Sequence, residues 1–590
     1  MVDLARCQIV SSRFLELARD HNLWKLQCFE HSRAEALRRR QRLLDSQDTH
    51  LDELRDAISS LSGGNFSQGR EPSHAIGSSE ADRRQRTRAL ANWEPGHPSE
   101  AIDYYEEYIH RHADISIDWV DLPNRSAGSQ RESREATGVG ILSEPGSDAQ
   151  HIISPLDDGS ICVWDVTSRS TCSGGGRGNL KDQSKPGLLT CGSSMDRSHT
   201  IMTETGAVEC VSIDNRTQKG YFAVENMLQE VDLRTLQVTS AKNYPFPITA
   251  LSACQATAPL TVGTNFTVHL HDSRDPTAFN HTDTDKSVEL IGGSVDSHAT
   301  LSQPGPLSIV NQPDNSSIWV AGRFTSLLNY DIRRFPRLLG SVHSGARIAS
   351  LTSLPRPLIS RSLDLIRNQD ASISELHAAR SSSGTTLLAA AEYKGKGSLE
   401  LHEPSGLHSY KNRQTASTSK LLSAAPHGGR IVFSDGDGNL RWMERDGSTL
   451  VRQYNINSSL PHSDSSSGDA TSSGIFSSTG SEVPGQGDIV QKILPLRANQ
   501  GQGSSSRPDI PNEALLLWSG DGRLGCLNFG SHNPLKPDAD WHDALEEQGL
   551  SVEERAREDA EKQYEMTMRR ALERNADEVR FVRGLGMASF

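Results

Sequence analysis

Aromatic residues fill only 5% of the 590 positions, and apolar residues of all kinds 35%. With a mean hydropathy of −0.53, that is little for a chain of this length to bury in one large core. Either the core is built from short strands or much of the chain is solvated insertion, and the sequence shows signs of both. Cysteine is scarce too: eight residues, scattered and without paired spacing. That excludes a disulfide framework and fits a reducing compartment. No run approaches the eighteen apolar residues of a membrane span, and MVDLARCQIVSSRF lacks the apolar stretch of a secretory signal. A cytoplasmic or nuclear location is the expectation, with no membrane partner. Basic excess is also missing. A net charge of −14 argues against a nucleic-acid partner, which calls for a basic footprint.

Motifs for covalent chemistry are equally sparse. The sequence has no Cys-x-x-Cys pair, no His-Glu-x-x-His and no Gly-x-Ser-x-Gly elbow. Gly174-Gly175-Gly176-Arg177-Gly178 lacks the Lys-Ser/Thr of a phosphate loop and a preceding strand. Asp435, Asp437 and Asn439 open like a calcium loop, but the sixth position is Leu440 where a glycine is required, and the twelfth is Asp446 instead of Glu. The expectation is a chain that is not an enzyme, with no catalytic residues, no metal and no cofactor.

What is present centres on His151–Thr167. Ile152-Ile153 leads into Asp157-Asp158-Gly159, residue types that suit a two-residue hairpin turn, and Ile161-Cys162-Val163-Trp164 closes on Asp165. Degenerate copies follow, each a pair of short β runs and then a strand ending before Asp, Glu or Asn. They end near Asp232, Asp272, Asp331, Glu403, Glu444 and Asn528. The spacing between ends starts at about 40 residues, the period of a propeller blade. The excess lies in Ser/Gly/Pro/Asp-rich stretches (168–200, 276–305, 360–384, 455–487 and 499–510) that read as disordered loops. Seven such units, one of them ending in Trp164-Asp165, resemble the WD-repeat family. The fold class is therefore all-β: a seven-bladed WD-repeat-like β-propeller over residues 113–530, with a short N-terminal helical segment and a C-terminal helix. The seventh unit has no fourth strand of its own, because SHNPLKPDADW cannot extend a sheet. The lone period-two strand Ile115-Ser116-Ile117-Asp118-Trp119-Val120 can close the ring in its place.

Outside the propeller, residues 3–28 read as short amphipathic helices broken near Asp20. Residues 31–61 read as a linker helix, with Leu37, Leu44, Leu51 and Ile58 seven apart. Residues 62–100 read as a flexible linker. Residues 540–584 read as a helix, acidic early and basic late, as the macrodipole favours.

Val10-Ser11-Ser12, Phe14, Leu17-Ala18, Asp20, Leu23-Trp24-Lys25 and Cys28 resemble the second half of an F-box, an N-terminally incomplete one because no Leu-Pro-containing helix precedes it. The resemblance covers about 26 residues over 1–30. Together with the propeller, it implies a substrate-receptor subunit of a cullin–RING (SCF-type) ubiquitin ligase. The implied adaptor contacts are Val10, Phe14, Leu17, Leu23 and Trp24, binding a Skp-type adaptor and through it the cullin ligase core, while the propeller binds a protein substrate. Receptors of this kind for phosphorylated segments place arginines near the starts of inner strands, which makes Arg347, after His343-Ser344-Gly345, the substrate-binding candidate. The alternative is a WD-repeat scaffold in another assembly, with the helices serving only as a cap.

Overall fold

Short strands joined by Asp-x-Gly turns bury both faces only when sheet stacks on sheet, and the computed structural model shows that arrangement seven times. It describes Gln8 and residues 11–36, 38–39, 78–97, 100, 102–124, 134–144, 149–165, 179–189, 210–255, 258–272, 298–301, 305–312, 316–366, 368, 370–459, 488–496 and 514–529. The chain divides into two units, 1–530 and 531–590. The second, with the expected helix over 540–584, lies outside the described residues, and so does Val10.

Seven four-stranded antiparallel sheets form the blades of a β-propeller. Blades 1 to 6 are continuous in sequence, over 140–183, 211–243, 248–300, 306–343, 347–417 and 421–455. Blade 7 takes three strands from the far end, Val490–Pro495, Leu515–Ser519 and Leu524–Phe529, and its outer strand from Ile115–Trp119. Ile115 stands opposite Phe529 and Ile117 opposite Leu527, so the ring closes through the strand expected from sequence. First strands of successive blades neighbour one another, which places them innermost.

The apolar core is a circle of seams, not a centre. Ile153, Val163, Phe222, Val231, Ile248 and Val262 fill the seams of blades 1 to 3. Trp164 and Trp518 belong to the core between blades 7 and 1. The second and third strands of the blades supply most of both faces to such seams while several outer strands stay exposed, which is how 35% apolar content suffices. Several third-strand ends and Asp-Gly turns recur where expected, but the first turn is longer than expected. Leu156 N–H donates to the Ser160 carbonyl at 2.8 Å, leaving a three-residue loop, 157–159, with Gly159 at φ +73°. Blade 7 repeats it, with Ser519 bonded to Arg523 and Gly522 at φ +79°. A type I turn followed by a left-handed glycine gives this loop, whose glycine a side chain would strain.

Five α-helices are described over their whole length: α1 Ser12–Ala18, α2 His21–Glu30, α3 Ser78–Trp93, α4 Tyr104–His112 and α5 Ile373–Ser381. Ser11 caps α1 and Asp20 caps α2, accepting from Leu23 N–H at 2.8 Å, which explains the break seen in sequence. Two expectations fail. The linker 62–100 contains the 16-residue α3, a helix of mostly polar and charged residues that is held by its few buried ones, Ala89, Ala91 and Trp93. Four of the stretches read as disordered also carry structure: strands Asn179–Gln183 and His298–Thr300, helical turn Ile456–Ser459, and within 360–384 the turn Arg361–Leu363 and α5. Tertiary partners outweigh their polar composition. Of the expected linker helix 31–61, residues 33–36 and 38–39 are helical, and the remainder beyond 39 lies outside the described residues. No helix among the described residues is long and apolar enough to cross a membrane.

Candidate protein-interaction surfaces

The helices form a module with its own core. Trp24, Cys28, Phe29, Ala89, Trp93 and Tyr104 are buried together. Trp24 lies edge-on to Tyr105 at 4.9 Å and near Tyr108 at 5.1 Å, and its indole Nε1–H donates to the Ala18 carbonyl at 2.6 Å. At 3% exposure Trp24 is an interior residue. The expectation that it contacts an adaptor directly is therefore corrected: its ring packs α2 on α4 instead of facing outward. Leu23 is half-buried against the same cluster. Phe14 and Leu17 differ, standing 47% and 61% exposed on α1, with Leu26 40% exposed on α2.

The module is joined to blades 5 and 6 by charges removed from water. Glu107 on α4 is fully buried and accepts from Arg111 Nε at 2.8 Å. Arg111 reaches Glu444 with both terminal nitrogens, at 2.7 and 3.0 Å, and Trp93 Nε1 donates to the same carboxylate at 3.2 Å. Arg430, also fully buried, brings Nε to 3.1 Å from Glu107. Burial alone would raise the Glu107 carboxyl, but Arg430 and Arg111 overcome it and hold it at about 2. Burial draws Arg430 down to about 10 against the opposing pull of Glu107. Beside them, Arg445 grips Glu100 at 2.7 and 2.6 Å, and Arg452 donates to the His110 and Ala113 carbonyls. The blade 5 insertion completes the joint. Arg88 of α3 donates to the carbonyls of Leu365, Asn368 and Ala371, while Leu365, Ala371 and Leu376 pack against Ala91. None of these residues was singled out from sequence as part of a joint, and Glu444 was marked only as the end of a repeat unit. Glu107 and Arg111 show as an i,i+4 pair, but their partners lie more than 300 positions away.

Arg347 is exposed and begins the inner strand Arg347–Leu354, at the end remote from Leu354 and the joint. The loop before it is fixed. Ser344 Oγ donates to the fully buried Glu400 at 2.6 Å, and Ser344 and Gly345 N–H groups donate to the Thr325 carbonyl. Burial would raise Glu400, but hydrogen bonds from His402, Ser344 and Arg413 hold it at about 2. Sequence reading offered Arg347 alone. The structure adds Arg323 on the blade 4 turn that meets this loop, Lys394 on the next turn of blade 5, and Lys420 before blade 6, all exposed. Among the described residues Arg323, Arg347 and Lys420 have no side-chain partner, and the nearest acid in the ladder is Glu392, opposite Arg347. Side chains spread over three successive blades could not be matched before the ring was built.

Among the described residues no group of three or more His, Cys, Asp or Glu side chains is placed to hold a metal. No known protein-family model matches this chain, and neither does any curated protein. The architecture itself defines the class: a seven-bladed β-propeller consistent with a WD-repeat protein, which points to a protein-binding or scaffold role.

Proposed function

We propose that this protein is a substrate receptor of an SCF-type ubiquitin ligase, in which α1 and α2 dock on a Skp-type adaptor and the propeller holds a protein substrate. The observation that supports it most is the exposed pair Phe14 and Leu17, on a module fixed rigidly to the propeller by the buried Glu107–Arg111–Glu444 network. A receptor of this kind carries out no covalent step. It raises the effective concentration of substrate near a conjugating enzyme, and a rigid joint preserves that geometry. The far face, with Arg347, Arg323 and Lys394, suits an anionic substrate segment such as a phosphorylated one, because guanidinium forks grip phosphate in pairs.

The test is co-expression of the full chain with a Skp-type adaptor. Wild type should co-purify with it, whereas the F14E/L17E double variant should not, at an unchanged melting temperature. Failure of the wild type to bind overturns the ligase reading. A scaffold whose helices only cap the propeller then stands, a reading that the inward-facing Trp24 and the extensive joint favour.

A further inference from the structure

The outer strand of a blade presents unpaired backbone groups and is open to addition of another strand unless something guards it, most often a charged side chain. Five of the seven outer strands here carry that guard: Lys181 and Asp182 in blade 1, Lys242 in blade 2, Lys411 and Arg413 in blade 5, Arg452 in blade 6 and Asp118 in blade 7. Blade 3 is guarded by brevity, with only His298–Thr300. Blade 4 has neither of its own, and only its last residue is covered from blade 5, where Lys411 Nζ donates to the His343 carbonyl at 2.9 Å. Its outer strand, Leu338–His343, reads LLGSVH, six residues without Asp, Glu, Lys or Arg.

That strand is also apolar where it meets water. A bulge between Asn329 and Tyr330 leaves Leu339 without a cross-strand partner, and Leu338 and Leu339 are 49% and 50% exposed. Leu407, 79% exposed, stands on the adjoining turn of blade 5, whose Gly406 lies close to Val342. At the strand's N-terminal end, Arg333, Arg334 and Arg337 are exposed, and none has a side-chain partner among the described residues. In a chain of net charge −14, three unneutralised arginines beside an unguarded apolar edge form a local contrast.

We propose that the outer edge of blade 4 receives an extended segment of a partner protein as a fifth strand, with acidic residues at the end beside Arg337. Backbone hydrogen bonds supply affinity in this mode, and flanking side chains supply selectivity. Leu338 and Leu339 cover apolar residues on the incoming strand, and the arginines set its register and direction by charge. This site is separate from both α1 and the Arg347 face, and it stands whether or not an adaptor binds.

The test uses a random 12-residue peptide library displayed on phage, selected on the full chain and counter-selected on the L339K/S341K variant, whose two changes fall at exposed positions. Enriched peptides should alternate apolar, β-branched residues and carry acids at one end. Made synthetically, they should slow hydrogen exchange at 338–343. They should weaken at least about tenfold on L339K/S341K, on R333E/R334E/R337E, and when alternate peptide nitrogens are methylated. No enrichment, protection of a different segment, or equal affinity for wild type and variants overturns the proposal. So does a concentration-dependent dimer that disappears in L339K/S341K, which would give this edge to a second copy of the chain.

Discussion

Blades 4 to 6 have charged groups at both of their ends, under opposite conditions. At the end facing the helices, Glu107, Arg111, Arg430 and Glu444 are dry, mutually bonded and fixed. At the other end Arg323, Arg347 and Lys420 stand in water without partners. Burial makes a charge depend on its neighbours, since one left alone in a dry joint is far more costly than one in solvent. Identical residue types therefore serve to fix geometry on one face and remain available for recognition on the other. The ladder of Glu400, Ser344 and Arg413 connects the two conditions, a buried carboxylate holding still the loop from which an exposed arginine starts.

The largest effect should come from the strand that both faces need. Deleting residues 1–112 removes the joint but leaves the ring closed, and the remaining propeller should melt cooperatively. Deleting 1–122 also removes Ile115, Ile117 and Trp119 from blade 7, and no cooperative transition should remain by calorimetry. Equal melting temperatures for the two would mean that the ring does not depend on this strand.

Next in size is Glu107→Gln, which leaves Arg111 and Arg430 undercompensated and should cost about 3–5 kcal/mol in urea unfolding at neutral pH. Acid should reveal the same group. Its carboxyl titrates at about 2 in the fold, against 4.5 ordinarily, so the stability it adds is complete above pH 4.5 and is lost as pH falls toward 2. His110, pushed down to about 3 mainly by burial and then by Arg430, works in a higher window. The unfolded chain takes up that proton first, so stability declines as pH falls from 6.5. The gap between wild type and E107Q should thus be flat from pH 7 to 4.5 and narrow below it. A gap independent of pH would refute the assignment of the charge to Glu107.

The smallest effect on stability should come from the wet face. The Arg323→Ala/Arg347→Ala double variant should change unfolding free energy by less than about 0.5 kcal/mol, while losing interaction partners that phosphatase treatment also removes. Partners retained by the variant, or lost but indifferent to phosphatase, would exclude an anionic segment on this face.

Much of the propeller could be read from residues alone because its blades are local. Period-two runs, Asp-Gly turns and strand-ending acids recur within about 40 positions, and each blade folds mostly against the next. The closing strand was legible for a related reason: seven units with one strand missing leave a single vacancy, and Ile115–Trp119 had no other partner nearby. Trp24 was not legible in the same way. An aromatic in an amphipathic helix can face a partner or its own core, and only Tyr105 and Tyr108 on α4 decide it. Helix α5 was obscured by polar composition, since Ala91 and Asn92 hold its Leu376 and Arg380 from nearly 290 positions away. Sequence thus determined the repeat, the turn chemistry and the number of blades, all of which depend on interactions between near neighbours. Only the tertiary structure decided which charges are buried, which leucines face water and which arginines share a rim, because desolvation depends on what the fold brings together.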